Sequence, residues 1–263
     1  MRIVFIGGGM MGEAMIKCLL AQKVVSPQDI VVSDVNELRR ELLGREYKVK
    51  TSADSKRAVE NADVVILAIK PENLAEVMEE IKGSLREQVI LSIVAGASLA
   101  TLSDGLTYPH IIRAMPNMPA RIGEGMIVWT TTIEANQEHK KMARSILSAL
   151  GKEIYFPDEK YIDMATALSG SGPAYVFLFI EVLIDAGVYI GLSHKVANEL
   201  AIQTILGSAH MVEKMGKHPA ELRNMVTSPG GTTAEALAQL EWGGFRSSIL
   251  EAVIAAHEKA KQL

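Results

Sequence analysis

Two stretches of this chain carry residue types and spacings that can do chemistry. The first is Gly7-Gly8-Gly9-Met10-Met11-Gly12, which fits G-x-G-x-x-G. It follows an apolar run, "RIVFIG", and precedes a helical pattern from Met10 to Gln22. That context is what a dinucleotide fingerprint requires. Gly7 permits a tight turn, Gly9 lets backbone approach a pyrophosphate, and Gly12 lets helix pack on strand. The helix start then offers free N–H groups and about half a positive charge to an anion. The second stretch is "SPGGTTAEAL", Ser228 to Leu237. It has no acid, base or nucleophile of the usual kind before Glu235. Thr232 and Glu235 have capping-box spacing, so a helix is expected to start at Thr232. Gly230 and Gly231 would leave exposed N–H groups just ahead of it, and Ser228 and Thr233 add hydroxyls. Such a loop suits a small anion, most simply a carboxylate; two capped helix starts with glycine turns are the plainer alternative.

Asp34 stands roughly twenty residues beyond Gly12, where the fingerprint expects an acid. A carboxylate there accepts hydrogen bonds from ribose hydroxyls, which leans toward NAD. It would repel a 2′-phosphate by about 4 kcal/mol at 4 Å and an effective dielectric of 20. Arg39 and Arg40 follow, either offsetting that repulsion or forming a solvated helix face. Lys70, in "LAIKP", and Gly96, in "VAG", end two further strands, beyond which ligands sit in open sheets. Lys70 is either near the cofactor crevice or a plain rim lysine. Pro71 can start the next helix.

The elements around these stretches alternate. Strands are expected near Arg2–Gly7, Ile30–Asp34, Tyr47–Lys50, Asp63–Pro71, Gln88–Gly96, His110–Pro116, Gly125–Thr131 and Gly151–Glu159. Apolar strands between helices indicate an α/β, doubly wound, mostly parallel sheet of Rossmann type. From about Tyr161 onward the pattern is helical, with segments at 173–191, 194–215, 218–226, 232–241 and 245–262. The boundary is expected near 158, giving a dinucleotide domain over 1–158 and a helical domain over 159–263. "AYVFLFIEVLIDAGVYIGL", Ala174 to Leu192, has the apolarity of a membrane span, but Glu181 and Asp185 within it are costly at a bilayer centre. It reads as a helix buried on most sides, in a core or between subunits. With the Val196–Val212 helix it exceeds what one small domain can cover, so a homodimer or higher homo-oligomer is expected.

Hydrophobic residues are 48% and charged residues 22%, a soluble globular composition. A net charge of −4 without a basic stripe argues against nucleic acid. The N-terminus lacks the pattern of a signal peptide, and with no membrane span read, a cytoplasmic protein is expected. Cys18, the single cysteine, reads as a small buried hydrophobe. The six histidines show no ligand spacing, so no metal is expected.

Taken together, "FIGGGMMGEA", "LAIKP", "RAMPNMPA", "ALSGSGPAY", "SPGGTTAEAL" and "GGFR" occur in order over nearly the whole chain. In this the sequence resembles the pyrroline-5-carboxylate reductases, which make proline from the cyclic imine Δ1-pyrroline-5-carboxylate. The resemblance implies an N-terminal dinucleotide domain and an all-α C-terminal dimerisation domain, with NADP(H) or NAD(H) as cofactor. It implies that Gly7 to Gly12 bind pyrophosphate, that Ala68, Ile69, Lys70, Pro71, Ala95 and Gly96 line the nicotinamide side, and that Met115, Pro116 and Asn117 border the cleft. It gives the substrate carboxylate to Gly230, Gly231 and Thr233, with Ser171 close by. Thr233 would touch the ring nitrogen or relay a proton. Family members that prefer NADPH usually lack an acid at the Asp34 position. The rival enzyme is a 3-hydroxyacid dehydrogenase, which uses a Lys base and an Asn a few residues later. Lys195 and Asn198 fit only superficially, because a whole helix separates them from Gly172. A nucleotide-sensing regulator is the non-enzymatic alternative, and it would not need a second anion loop.

Overall fold

The computed structural model describes residues 1–262. The chain forms two compact units, Met1–Ser171 with the residues from Ala256 onward, and Gly172–Ala255. In the first unit eight strands alternate with helices: β1 (Ile3–Ile6), α1 (Met10–Ala21), β2 (Ile30–Ser33), α2 (Glu37–Tyr47), β3 (Lys50–Ser52), α3 (Ser55–Val59), β4 (Val64–Leu67), α4 (Leu74–Ile81), β5 (Val89–Ser92), α5 (Leu99–Leu106), β6 (Ile111–Met115), β7 (Gly125–Thr131), α6 (Gln137–Leu147), β8 (Gly151–Tyr155) and α7 (Lys160–Ala165). Their order in the sheet is β3-β2-β1-β4-β5-β6-β7-β8. All pairs are parallel except β6 with β7.

The continuous apolar runs become strands because both faces of the sheet are covered. Successive side chains point to opposite faces. Ile3 and Phe5 of β1 pack with Met15, Ile16 and Leu19 of α1, while Val4 and Ile6 pack with Val59 and Met78 on the other face. Each such burial stabilises by roughly 1.5–3 kcal/mol. Cys18 is part of the α1 face; its thiol points at the Ala120 carbonyl, 3.4 Å away, and burial raises its pKa. The sheet order reverses between β1 and β4, which opens a crevice beyond their carboxyl ends. The third strand lies later than its apolar pattern suggested. Lys48 takes a left-handed conformation (φ 57°) and caps α2, donating its N–H to the Gly44 carbonyl, so pairing begins at Lys50.

After α7 a π-turn, Thr166–Gly170, follows. The second unit then contains α8 (Gly172–Tyr189), α9 (His194–Met215), α10 (Pro219–Met225), α11 (Thr232–Trp242) and most of α12 (Phe245–Ala260). Ser193 caps α9 through the Val196 N–H. Gly187 lets α8 and α9 approach closely: a Cβ there would lie 2.8 Å from that of Ala197. The apolar run Lys160–Tyr189 is long and apolar enough to cross a membrane, but only 6% of its most apolar window is buried. The expectation of a helix buried on most sides therefore fails within a single chain. Phe177, Leu178, Phe179 and Val182 lie 40–61% exposed. In this unit Ala197, Ala201 and Leu222 are the buried hydrophobic residues.

Candidate active site

The glycine loop joins β1 to α1 and closes on the end of β4. Gly7 has φ +95°, donates its N–H to the Ser33 carbonyl at 2.7 Å, and a Cβ there would sit 2.6 Å from the Ala68 carbonyl oxygen. A Cβ on Gly12 would sit 2.6 Å from the Gly7 carbonyl oxygen. Both glycines are thus required by close approach. Gly9 differs: it caps α1 without any side-chain partner, and nothing lies within 4 Å of where its Cβ would be. Open space in front of unpaired first-turn N–H groups is what a pyrophosphate needs. Met10 is exposed and Met11 half-buried beside it.

Gly8 is bracketed from the β2–α2 connection. Its N–H donates to Asp34 Oδ2 at 2.8 Å, and its carbonyl accepts from Arg39 Nε. Asp34 Oδ1 also accepts the Asn36 N–H at 2.8 Å. The Arg39 guanidinium pairs with Glu13, which accepts the Tyr47 hydroxyl at 2.9 Å. Burial raises the Glu13 carboxyl pKa, but hydrogen bonds from Arg39 and Tyr47 outweigh it and hold the group below its usual range. Arg40 Nη1 donates to the Asp34 carbonyl at 2.7 Å and the Val35 carbonyl at 3.0 Å. The reading of these arginines as a solvated face is thereby corrected: carbonyls of two loops recruit both side chains.

The other strand ends surround the crevice. Ala68 donates its N–H to the Ile6 carbonyl at 2.9 Å; Ala68 and Ile69 are half-buried. Lys70 is an exposed rim lysine, its side chain 80% accessible and 3.7 Å from Glu72. Pro71 begins a single 3-10 turn, and α4 starts only at Leu74. Ala95 and Gly96 follow β5, Gly96 with φ +75°. Met115 ends β6, and Pro116 behind it is buried.

Asn117 is not a free polar group. Its Nδ2 donates to the Ser169 carbonyl and its Oδ1 accepts the Met126 N–H, both at 2.9 Å. Both ends of the carboxamide are bound by backbone. Arg113 was not singled out from sequence. It lies 5% exposed in β6, with Nη1 2.8 Å from Glu159 and Nη2 3.1 Å from Asp163. The available signal was a charge inside the apolar strand "HIIRAMP", which demands buried partners.

The second unit carries its own loop. Gly230 has φ +67°, and the Gly231 N–H donates to the Ser228 carbonyl at 3.1 Å. The helix starts at Thr232 as expected, for a different reason: Gly231 is the N-cap and no side chain caps it. Thr232 is then the first helical residue, so Thr232 and Glu235 form no capping box. The Gly231 N–H is occupied too. The free donors shift two residues inward, because Ala234 and Glu235 are the first to bond back, both to the Gly231 carbonyl. That leaves the Thr232 and Thr233 N–H groups ahead of the first intrahelical bond. Ser228 and Gly230 are exposed and Thr233 half-accessible. Ser171, half-buried, closes the π-turn with its N–H on the Thr166 carbonyl at 2.8 Å. Lys195 stands exposed in the first turn of α9.

Comparison with known proteins decides the family. Residues 159–263 match the family model for pyrroline-5-carboxylate reductase dimerisation. Residues 2–96 match that for NADP oxidoreductase, coenzyme F420-dependent. A pyrroline-5-carboxylate reductase of Synechocystis sp. is 42% identical over 98% of this chain and 96% of its own length. The Arabidopsis thaliana enzyme of that name is 39% identical over 100% and 95%. The chain belongs to the pyrroline-5-carboxylate reductase family. Solved structures agree. That of Coxiella burnetii pyrroline-5-carboxylate reductase superposes with a TM-score of 0.91 at 35% identity, covering 99% of this chain and 97% of the other. Plasmodium falciparum pyrroline carboxylate reductase, solved with NADP bound, gives 0.91 at 32% identity with the same coverage. The helical unit accordingly lies in the family's dimerisation domain, and the chain forms a homo-oligomer.

Proposed function

We propose that this protein reduces 1-pyrroline-5-carboxylate to L-proline with NAD(P)H. The observation that carries the reading is full-length membership of the family together with two uncapped, glycine-lined helix starts, at Gly9 and Gly231. When bound, the nicotinamide supplies the hydride. The chain's own residues bind and orient. Gly7 to Gly12 take the pyrophosphate on the α1 N–H groups. Ala68 to Pro71, Ala95, Gly96, Met115 and Pro116 line the nicotinamide side. Gly230 and the Thr232 and Thr233 N–H groups take the substrate carboxylate, with Ser228 beside them on the same loop; Ser171 is also given to the substrate.

A protonated imine is already electrophilic, so the protein need supply little beyond positioning and electrostatics. That accounts for a carboxylate loop without a strong acid or base. The Thr233 hydroxyl contacts the ring nitrogen, or relays from water the proton that makes the imine electrophilic. Asp34 keeps NADH acceptable, while Arg40, held by carbonyls and not by an acid, leaves room for a 2′-phosphate. We further place the protein in the cytoplasm as a small-molecule reductase, and a net charge of −4 without a basic stripe supports neither nucleic acid nor an anionic membrane as partner. Initial rates with the pyrroline imine, measured with NADH and NADPH in parallel and beside 3-hydroxyacid oxidation, test the reading. Nucleotide oxidation on adding the imine supports it; turnover of hydroxyacids alone, or none, refutes it.

A further inference from the structure

We propose that Asn117 is a positioning residue for the imine: its carboxamide clamps the Thr166–Gly170 π-turn to the end of β6 and so sets Ser171. This rests on the reading above, which gives Ser171 to the substrate. A π-turn carries one residue too many for the helical ladder, so carbonyls within it lose their regular partners. Here the Thr166 carbonyl accepts the Ser171 N–H at 2.8 Å, and side chains bind the turn at further points. The Thr166 hydroxyl donates to the Ile162 carbonyl at 2.7 Å, and the Ser169 hydroxyl donates to the Ala165 carbonyl at 2.9 Å. The Ser169 carbonyl takes its bond from Asn117 Nδ2, across 52 residues of sequence. Asn117 cannot swing away, because its Oδ1 holds the Met126 N–H and the residue is 9% exposed. Four residues earlier, within β6, Arg113 holds Glu159 and Asp163. The segment from Glu159 to Ser171 is thus fastened to β6 at both ends, by an ionic group at one and a carboxamide at the other. A turn outside the regular helical ladder is held by whatever its surroundings fasten to it. The residues preceding Asn117, Met115 and Pro116, are those given to the nicotinamide side, so one side chain fixes the spacing between the two ligands' supports.

The test separates this from general structural damage. Asn117→Ala should raise KM for the imine about tenfold, the worth of one buried hydrogen bond, with the nucleotide Kd changed less than about twofold. Asn117→Asp keeps the acceptor for Met126 but sets a carboxylate oxygen against the Ser169 carbonyl. Protonation converts that oxygen into a donor. Relative to wild type, its kcat/KM for the imine should therefore recover as pH falls from roughly 8 to 5.5, toward the carboxyl's range. Hydrogen exchange of peptide 166–174 should slow over the same pH interval in the Asp variant but not in wild type, beyond the common chemical effect of pH. If Asn117→Ala raises imine KM and nucleotide Kd together, or Asn117→Asp shows no pH-dependent recovery in rate and exchange, the clamp is refuted. The exchange measurement needs no turnover, so failure of the reductase reading, seen as an inactive wild type, stays distinct from failure of the clamp.

Discussion

Replacing Arg39 with Met removes the one guanidinium that reaches the Gly8 carbonyl, the Gly9 carbonyl at 3.5 Å and the Glu13 carboxylate. Hydrogen bonds to charged groups contribute about 1.5–3 kcal/mol net. The Arg39 and Glu13 side chains keep 22% and 29% of their surface accessible, which puts this group near the lower value. The loss should appear in nucleotide binding more than in folding. With Arg39 in place, the Gly8 peptide is fixed between an acid on its N–H and a cation on its carbonyl, and the α1 donors are already oriented. Without it, that ordering has to occur on binding. About 1.4 kcal/mol is a factor of ten, so nucleotide Kd should rise about tenfold for NADH and NADPH alike. Arg39→Lys should fall between, since an ammonium carries the charge but cannot span three acceptors with a planar fork. Fluorescence titration with each nucleotide reads Kd directly. A Kd within about twofold of wild type for Arg39→Met sinks the reasoning. The double variant Glu13→Gln/Arg39→Met identifies the cause. If binding recovers, the unpaired Glu13 carboxylate was repelling the pyrophosphate; if it stays weak, loss of the Gly8 bracket was responsible.

Further outcomes follow from the same geometry. Thr233→Ala should lower kcat about a hundredfold, the low end for a positioned proton donor, while the melting temperature stays within about 2 °C, because Thr233 has no capping role to lose; full turnover contradicts its assignment. Val182→Glu places a charge on the 55%-exposed apolar face of α8, where burial between subunits would cost several kcal/mol; light scattering should report monomers, and an unchanged oligomer would show that this face is free. His139 is buried, and burial, followed by the nearby His110, lowers its pKa below the usual value near 6.5. The unfolded chain therefore binds the proton more readily, and the contribution is intact above about pH 6.5 and lost as pH falls through the lowered folded value. Denaturant midpoints measured across that interval should drop less steeply for His139→Gln; identical slopes would remove His139 as the cause.

What could be read in advance was what is local. The β1–glycine–α1 unit, the strand ends and the α11 start are each encoded within about a dozen residues, and spacing alone places them. What escaped was paired at a distance. Arg113 meets Glu159 and Asp163 from 46 and 50 residues away, and Asn117 meets Ser169 from 52. No local pattern names those partners. The cap at Thr232 was misread, and the partners of Asn117 were not legible, for a related reason. A hydroxyl three residues before a glutamate, or an amide beside a cleft, is a donor or acceptor in search of a partner. The Ser169 carbonyl took the amide because a buried backbone acceptor needs a donor, whereas Gly231 took the cap and left the first N–H groups of α11 open.

The same demand links the helical unit's stability to its assembly. A run as apolar as α8 has three ways to leave water: a membrane, its own core, or another subunit. A core is missing, since the buried hydrophobic residues of Gly172–Ala255 are Ala197, Ala201 and Leu222, two of them alanines. Two alanines and one leucine bury far too little to offset the ordering of a helical unit of that length. Glu181 and Asp185, one turn apart on α8, are each expensive at the centre of a bilayer. Another subunit is what remains, and the family's dimerisation domain covers this very segment. Assembly is then a condition for folding this half and not a later association of finished parts. The loop from Ser228 to Thr233 belongs to that half. On the proposed assignment of this loop to the substrate carboxylate, its N–H groups are in place only once α11 is formed, so substrate binding should inherit the subunit-concentration dependence of the helices that carry it.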